Sequence, residues 1–422
     1  MIPEADRANK VWQWRPRLRP IEVLPLQTNS GRVLALRDPG RLAPKMLYLS
    51  PAAAIFLPLF NGRNDLRDIQ AALFRASGEL IGLERIEGLV RTLDENYFLE
   101  GETFEAFLVR TREEFAASPG RPALLAGQAY PEAPESLAEV LASYYDHPSG
   151  PGREATAAGA RPRGLIAPHI DFGRGGPGYA WTWSQLDPSD PPDLAVILGT
   201  AHGPTLNPLA LCRKDFETPF GPARCERGLA EALAERLGDL ITADEFVHRG
   251  EHSVEFQAVW LMSRLEPEAP TRILPWLCGS FHQLMEEGRA PEDWDDYEAS
   301  VSVIKEALDR WTAAGKKVLA IASVDLSHVG PQFGDGFSVT PGVQAEIKAL
   351  DLEYMTAATQ GDYRSFYRLV AGQRDRTHVC GLAAIYTLLR LLDGPSGRLL
   401  HYDQWVDPAG QGLVSFASAV YR

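Results

Sequence analysis

The chain has 422 residues, of which 45% are hydrophobic and 23% are charged. This length excludes a small disulfide scaffold and predicts two or three domains with buried cores, and the ordinary composition excludes a disordered or fibrous chain. The formal net charge is −14; residues 1–110 carry 15 Lys+Arg and 14 Asp+Glu, whereas residues 111–422 carry 27 and 42. Because affinity for nucleic acid comes mainly from Lys and Arg, the acidic second part argues against a nucleic-acid partner.

All nine histidines and all four cysteines lie from His147 onward, so imidazole and thiolate chemistry is expected in the second part of the chain. The cysteines show no CxxC spacing, which argues against a zinc ribbon or a redox pair and favours reduced thiols in a cytoplasmic protein. The first residues include acidic side chains and no apolar run typical of a secretory signal. We also expect no membrane partner, because every apolar run is far shorter than the roughly 20 residues that cross a bilayer.

Residues 1–110 have the pattern of a small α+β domain. Two apolar runs within residues 21–36 flank Thr28–Gly31 and predict a β-hairpin. Ser50 and Pro51 predict the start of a short helix that ends at Phe60. Apolar residues at helical spacing then predict two more helices, followed by a closing strand: Leu66, Ile69 and Leu73; Ile86, Leu89, Val90 and Leu93; and Tyr97 to Leu99.

This order of elements, with the segments NGRNDLRDI (61–69) and YFLEG (97–101), resembles the PqqD-like domain from Leu18 to Glu102. The resemblance implies a winged-helix-type fold and a peptide-binding module. The alternative is an interaction or packing domain without such a ligand. The near-neutral charge of residues 1–110 argues against DNA binding by this winged helix.

The remainder of the chain is predicted to contain a connecting region and an α/β domain. Residues 111–163 are rich in Pro, Gly and Ala and are expected to form a linker and the start of the second domain, with a helix at Glu135–Tyr145 and a surface loop at His147–Arg163. In residues 164–422 the apolar runs LIAP, DLAVILG, RILPWL and VLAIASV alternate with helical patterns at Glu226–Leu237, Ser253–Leu265 and Ser300–Ala314. This alternation indicates a sheet covered by helices, a fold in which ligand sites lie at strand ends.

Histidines follow three of these apolar runs. His169 and His202 come directly after the first and second runs, and His328 follows the run VLAIASV after Asp325. His252 lies at the start of the helical pattern that begins near Ser253. A single histidine in such a position is more often a cap or a satisfied core group than a ligand, but the recurrence at strand ends predicts a shared site.

Cys380 lies near the start of a buried helix predicted by the apolar spacing of residues 382–392. A thiol at a helix N terminus gains thiolate character, which favours nucleophilic or metal-binding chemistry. The alternative is a small core residue, the common role of a free cysteine. We assign that core role to the other three cysteines, which are Cys212, Cys225 and Cys278.

Six motifs occur in order along the second part of the chain: AGQAYP (126–131), IAPHIDF (166–172), VILGTAHG (196–203), EHSVEFQ (251–257), SVDLSHVG (323–330) and VCGLAAI (379–385). Through them the chain from Arg121 to Arg422 resembles the Memo family, also known as AmmeMemoRadiSam system protein B. The resemblance implies the α/β fold of LigB-type class III extradiol dioxygenases. It also implies that the metal ligands are His169, His202 and Cys380.

Two of the motifs depart from the common family pattern. The family commonly has PSHH where this chain has TAHG (200–203), so a second neighbouring histidine is absent. The family also has APHAGY followed by a Ser-Gly element, whereas here residues 170–172 lead into the glycine-rich segment 174–178. The wall of the site is therefore expected to differ from that of typical members.

A His-His-Cys set leaves positions on a metal where dioxygen or substrate binds. By the resemblance we expect Fe(II), while the thiolate also suits Zn(II) or Cu(I). His252 and His328 are candidate acid/base groups, and Asp325 is a candidate acceptor that orients an imidazole. The alternative for these three residues is a structural polar network beneath the metal.

The leading hypothesis is a metal-binding protein with a dioxygenase-like site, which as an enzyme would be a non-haem iron oxidoreductase acting on a small molecule or a peptide. One alternative is a non-enzymatic, peptide-binding adaptor. Another is a Zn-dependent hydrolase, in which the metal lowers the pKa of bound water to about 7. The resemblance also implies radical SAM and AMMECR1-like proteins as partners.

Overall fold

The computed structural model describes residues 11–28, 31–153, 160–266 and 269–422. The chain forms two compact units, the first ending at Ala117 and the second spanning Ser118–Arg422. Asn29 and Ser30 of the predicted turn and residues 154–159 of the predicted surface loop lie outside the described residues. Within these described ranges, no helix is both long and apolar enough to cross a membrane.

In its described residues, the first unit contains a three-stranded antiparallel sheet and three α-helices. The sheet has the order β1-β2-β3, and the two strands predicted on either side of the turn pair with each other. Helix α3 continues past residue 110, the predicted domain boundary. The elements are β1 (Glu22–Thr28), β2 (Gly31–Arg37), β3 (Leu47–Leu49), α1 (Leu66–Ser77), α2 (Leu83–Glu95) and α3 (Glu102–Ala117).

Local signals explain most of this unit. The Asp65 side chain accepts hydrogen bonds from two backbone N–H groups of the first turn and caps α1, and Gly78 ends it with φ of 71°. The predicted helix at residues 51–60 instead consists of the 3-10 helices Pro51–Ile55 and Leu57–Leu59. The reason is Pro58, which lacks an N–H donor and interrupts an α-helix.

The second unit is built on an eight-stranded mixed sheet with the strand order β11-β13-β5-β10-β6-β9-β7, in which β12 also pairs with β13. The four central strands β5, β10, β6 and β9 run parallel. Strands β4 and β8 form a separate parallel pair. The bounds are β4 (Gly120–Arg121), β5 (Gly164–Ala167), β6 (Leu194–Thr200), β7 (Leu209–Leu211), β8 (Asp215–Phe216), β9 (Arg272–Cys278), β10 (Val318–Ser323), β11 (His328–Val329), β12 (Gly397–Val406) and β13 (Leu413–Tyr421).

Helices pack against this sheet and cover its buried strands. Helix α5 contacts β5 and β13, α8 contacts β6, and α13 contacts β10 and β6. Every residue of β6 is buried, as expected for a parallel strand covered on both faces. The helices are α4 (Pro134–Tyr145), α5 (Phe172–Trp183), α6 (Arg227–Leu237), α7 (Asp239–Thr242), α8 (Ser253–Arg264), α9 (His282–Glu287), α10 (Asp295–Ala313), α11 (Pro341–Thr359), α12 (Tyr363–Gly372) and α13 (Leu382–Leu391).

The predicted α/β class is confirmed, and the parallel centre determines where the site lies. Strand β10 lies between β5 and β6, and Ser323 at its carboxyl end pairs with Ala167 of β5 and Gly199 of β6. The three strands therefore end at the same level of one sheet edge. The segments that follow them carry His169, Asp325 and His202.

Candidate metal site

His169 lies two residues after β5 and is 2% exposed. Its backbone N–H and that of Ile170 donate to Oδ1 of Asp325, at 3.0 and 3.1 Å. Ring atom Nδ1 lies 2.9 Å from the carbonyl oxygen of Ser323. Because a carbonyl oxygen can only accept, Nδ1 carries the proton and Nε2 keeps a lone pair. The fold thus presents Nε2 of His169 as a ligand atom.

His202 lies two residues after β6 and is held by Glu251, the residue that follows the short 3-10 helix Glu245–Arg249 by two positions. The backbone N–H of His202 donates to Oε2 of Glu251 at 3.0 Å, and ring atom Nδ1 lies 3.1 Å from each carboxylate oxygen. The Glu251 side chain is 4% exposed and the His202 side chain 39%. A buried group therefore orients an imidazole that remains accessible.

Cys380 reaches the same sheet edge from the segment before α13. The N–H of Gly381 donates to the carbonyl oxygen of Asp325 at 3.1 Å, and Sγ of Cys380 lies 3.5 Å from that oxygen. This close approach requires a glycine, since a Cβ on Gly381 would lie 2.6 Å from both the Asp325 carbonyl oxygen and the Val324 Cβ. The thiol is thereby placed beside the end of β10.

The three residues implied as metal ligands converge. One ligand atom from each of His169, His202 and Cys380 lies within 4.8 Å of the other two. Sγ of Cys380 is 3.3 Å from Nε2 of His169, and the two imidazole centroids are 4.9 Å apart. Two imidazoles and a thiol fit a transition metal that keeps open coordination positions. A second group, whose ligand-type atoms also lie within 4.8 Å of one another, contains His202, Glu251 and His252.

The two candidate acid/base histidines lie in different surroundings. The ring of His252 is stacked on that of His202 with centroids 4.7 Å apart, and it is 5.3 Å from His169. His328 is held by the loop before Cys380, where its Nδ1 lies 3.2 Å from the carbonyl oxygen of His378. His252 thus borders the three-residue cluster, whereas His328 is attached to the loop that carries one of its members.

Asp325 orients His169 through the backbone rather than through the ring atom Nδ1. That ring nitrogen contacts the carbonyl oxygen of Ser323, while Oδ2 of Asp325 lies 3.6 Å from Nε2 of His169. Burial raises the pKa of Asp325 to about 7, although the hydrogen bonds from the His169 and Ile170 backbones oppose this shift. The carboxyl group is therefore a buried neighbour of the same nitrogen that faces Cys380.

Burial dominates the other ionisable groups of the cluster. It lowers the pKa of His169 well below its usual range and the pKa of His328 to about 4, and nearby imidazoles add to both shifts. Burial also raises the pKa of the Cys380 thiol well above its usual range, with Asp325 contributing, which favours the thiol rather than the expected thiolate in the metal-free site. Burial alone would raise the pKa of Glu251, but the charges and hydrogen bonds of the two neighbouring imidazoles bring it well below its usual range.

A buried ion pair holds the segment that carries Glu251. The sequence patterns did not reveal this pair. Arg121 and Glu255 are both fully buried and hydrogen-bonded to each other. Glu255 also accepts from the N–H of Leu125 at 2.9 Å and the hydroxyl of Tyr130 at 2.5 Å, and Arg121 donates to the Glu251 carbonyl oxygen at 2.6 Å. The segment expected to be a linker is therefore anchored to α8 at this point.

Two cavities adjoin the cluster. The smaller has a volume of about 240 Å³ and is lined by His202, Cys380 and His378, among others. The larger, of about 480 Å³, shares His202 with the first and extends to Arg289 and Trp294. A small polar or aromatic molecule fits these dimensions beside the cluster.

The fold and this cluster define a mixed α/β protein with a candidate His-His-Cys metal site at the ends of parallel strands. The family model described as Memo-like protein matches residues 121–420. The chain is 27% identical over 410 residues to a MEMO1 family protein of Aquifex aeolicus, covering 96% of this chain and 100% of that one. A MEMO1 family protein of Thermus thermophilus is 29% identical over 335 residues, covering 79% and 92%. One from Methanopyrus kandleri is 28% identical over 306 residues, covering 71% and 97%.

The chain therefore belongs to the Memo-like family. The family model covers nearly all of the second unit and begins at Arg121, the buried arginine described above. The match to the Aquifex aeolicus protein extends over almost the entire chain, so that relative also has a counterpart of most of the first unit.

Proposed function

We propose that this protein binds Fe(II) through His169, His202 and Cys380 and uses the site for dioxygenase-like redox chemistry. The observation that carries the proposal is the convergence of their three ligand atoms within 4.8 Å from three separate segments of the fold. Nitrogen and sulfur ligands of this kind also suit Zn(II) and Cu(I), and the resemblance to LigB-type dioxygenases is the reason for choosing iron. When bound, Fe(II) supplies open coordination positions and a one-electron redox couple.

The residues of the chain have separable tasks in this proposal. His169 and His202 offer neutral imidazole nitrogens, and Cys380 offers a thiolate once a cation compensates for burial. His252, beside the cluster, accepts or donates a proton at Nε2. The 240 Å³ cavity admits a small substrate, or a side chain of a peptide, next to Cys380 and His202.

The proposal includes the fold type and the role of the first unit. A parallel sheet centre with ligands at its carboxyl ends supports the LigB-type comparison. The three-stranded sheet and its helices support the PqqD-like comparison, and we assign peptide binding to that unit. The radical SAM and AMMECR1-like partners and the cytoplasmic location remain predictions from the sequence.

Nitric oxide tests the open positions directly. Anaerobic protein loaded with Fe(II) is expected to give the electron paramagnetic resonance signal of a high-spin iron nitrosyl, and Cys380→Ala should alter or abolish that signal. Cys212→Ala is the matched control, because Cys212 is also a free cysteine of the second unit but lies outside the three-residue cluster. The absence of a nitrosyl signal from iron-loaded wild-type protein would contradict the proposal, and tight zinc retention with chelator-sensitive hydrolysis would favour a hydrolase instead.

A further inference from the structure

Glu251 makes an unusual number of contacts for one carboxylate. Oε1 accepts from the backbone N–H groups of His252 at 2.7 Å and Ser253 at 3.0 Å, and Oε2 accepts from the N–H of His202 at 3.0 Å. The ring atoms Nδ1 of His202 and of His252 each lie 3.1 Å from this carboxylate as well. Four N–H donors, three from the backbone and one from the His202 ring, therefore hydrogen-bond to one buried group, and the ring of His252 lies against it as well.

These contacts decide between two roles for Glu251. It belongs to a compact group of ligand-type atoms with His202 and His252, which by itself would suit a metal ion. A carboxylate has about four lone-pair positions, and the four N–H groups that hydrogen-bond to it already occupy them. Glu251 is therefore an acceptor of hydrogen bonds rather than a metal ligand.

The same contacts determine the tautomers of both imidazoles. An ionised carboxylate can only accept, so a ring nitrogen held against it must carry its proton. Both Nδ1 atoms are consequently protonated, and both rings turn Nε2 away from Glu251. The rings are stacked with an interplanar angle of 20° and centroids 4.7 Å apart, and their centroids lie 4.9 and 5.3 Å from that of His169.

The surrounding structure fixes the position of Glu251. Arg121 donates to its carbonyl oxygen at 2.6 Å, and the hydroxyl of Ser253 donates to the carbonyl oxygen of Thr200 at 3.0 Å. The first contact ties Glu251 to the buried ion pair, and the second ties the start of α8 to the end of β6, just before His202. These contacts therefore keep the carboxylate in a fixed position relative to both rings.

We propose that Glu251 is a positioning residue that serves two histidines with different tasks, His202 as a metal ligand and His252 as the group that transfers protons. By holding both in the Nδ1–H form, it leaves both Nε2 lone pairs for the cluster and strengthens each as a ligand or base. The division of tasks rests on the proposed function, whereas the shared tautomer does not.

The tautomers are measurable in the metal-free protein. Long-range ¹H–¹⁵N correlation spectra at pH 8, with His202→Gln and His252→Gln for assignment, should show Nδ1 protonated and Nε2 unprotonated for both rings of the wild type. If either ring carries its proton on Nε2, the proposal is overturned. This measurement requires neither bound metal nor a stable Glu251 variant.

The substitution Glu251→Gln replaces one accepting oxygen by a donating amide, so one of the two rings must change tautomer or turn away. We expect a 10–100-fold loss of Co(II) affinity, with recovery in Glu251→Asp if the carboxylate still reaches both rings. Glu245→Gln is the matched control, because Glu245 is a nearby carboxylate whose side chain binds Arg213 instead. Its Co(II) affinity should equal that of the wild type.

The outcomes separate this inference from the proposed function. Unchanged tautomers and unchanged Co(II) affinity in folded Glu251→Gln would overturn the positioning role while leaving the metal site intact. Failure of wild-type protein to bind Co(II), with both rings in the Nδ1–H form, would overturn the metal site while supporting the shared tautomer.

Discussion

Sγ of Cys380 lies 3.3 Å from Nε2 of His169, although 211 residues separate them along the chain. Both contact Asp325 at the end of β10, His169 through its N–H and Cys380 through its thiol. Asp325, two residues after β10, thus contacts both the imidazole residue and the thiol. The thiol and the imidazole lie close together because the parallel strands at the centre of the sheet end at the same level. Local sequence does not bring them together.

Gly381→Ala should disturb the site because the added side chain would collide with neighbouring atoms. The added Cβ would lie 2.6 Å from the Asp325 carbonyl oxygen, which cannot move without displacing the end of β10. We expect a loss of about 1–3 kcal/mol in the free energy of unfolding, together with weaker metal binding. Urea unfolding measures the first effect and Co(II) titration the second. Gly372→Ala is the control, because a Cβ there meets nothing within 4 Å and stability should hardly change.

Arg121→Met should be strongly destabilising. Removal of the guanidinium leaves the fully buried Glu255 carboxylate without its charged partner, and breaking such a pair costs about 3–5 kcal/mol. Urea unfolding of the second unit is the measurement. Arg236→Met, which removes one side of an exposed pair with Glu306, should cost less than about 1 kcal/mol. Equal effects of the two substitutions would contradict the structural role of the buried pair.

His248 should make stability depend on pH. Burial lowers its pKa from 6.5 to about 4, and its Nδ1 is buried without a hydrogen-bond partner in the described part of the chain. The unfolded chain therefore binds a proton at this residue more readily between pH 4 and 6.5, so the contribution of His248 to stability is greatest above pH 6.5 and falls as the pH drops. His248 alone contributes a loss of about 2 kcal/mol between pH 7 and pH 5.

Chemical denaturation at these two pH values tests this contribution. In His248→Gln the difference between the two free energies of unfolding should shrink by about that amount. His282→Gln, at a mostly exposed histidine, should keep the wild-type difference. An unchanged difference in His248→Gln would show that His248 does not titrate as its burial requires.

Metal binding should stabilise the folded second unit. A ligand present at 100 times its Kd adds about 2.7 kcal/mol to the free energy of unfolding when the unfolded chain does not bind it. Anaerobic urea unfolding with and without Fe(II) should show this gain for the wild type and its loss in Cys380→Ala. A gain of equal size in Cys380→Ala would place the ion elsewhere.

Much of the fold could be predicted because local sequence patterns determine its helices and strands. The predicted helix starting at Ser253 differs from α8 by only one residue at its end, and every residue from Ser253 to Leu261 is buried. Helix α10 begins at Asp295, five residues before the predicted start, because its first turn carries Asp295, Asp296 and Glu298. Acidic side chains suit a helix N terminus but leave no apolar period to recognise.

The candidate site was likewise predictable only in part. His169 and His202 were visible because each follows an apolar run that becomes a parallel strand. The contacts of Glu251 and the pairing of Arg121 with Glu255 depend on which loops meet at one sheet edge, and the latter pair is 134 residues apart. Neither periodicity nor composition contains that information, although both glutamates lie within the motif EHSVEFQ.

The most direct test of the metal site is elemental analysis of anaerobically purified, full-length protein, comparing the wild type with His169→Ala, Cys380→Ala and the control Cys212→Ala. We expect about one equivalent of iron in the wild type and in Cys212→Ala, and its loss in the other two variants. Iron retained in both His169→Ala and Cys380→Ala, or no metal in any sample after reconstitution with Fe(II), would contradict the account.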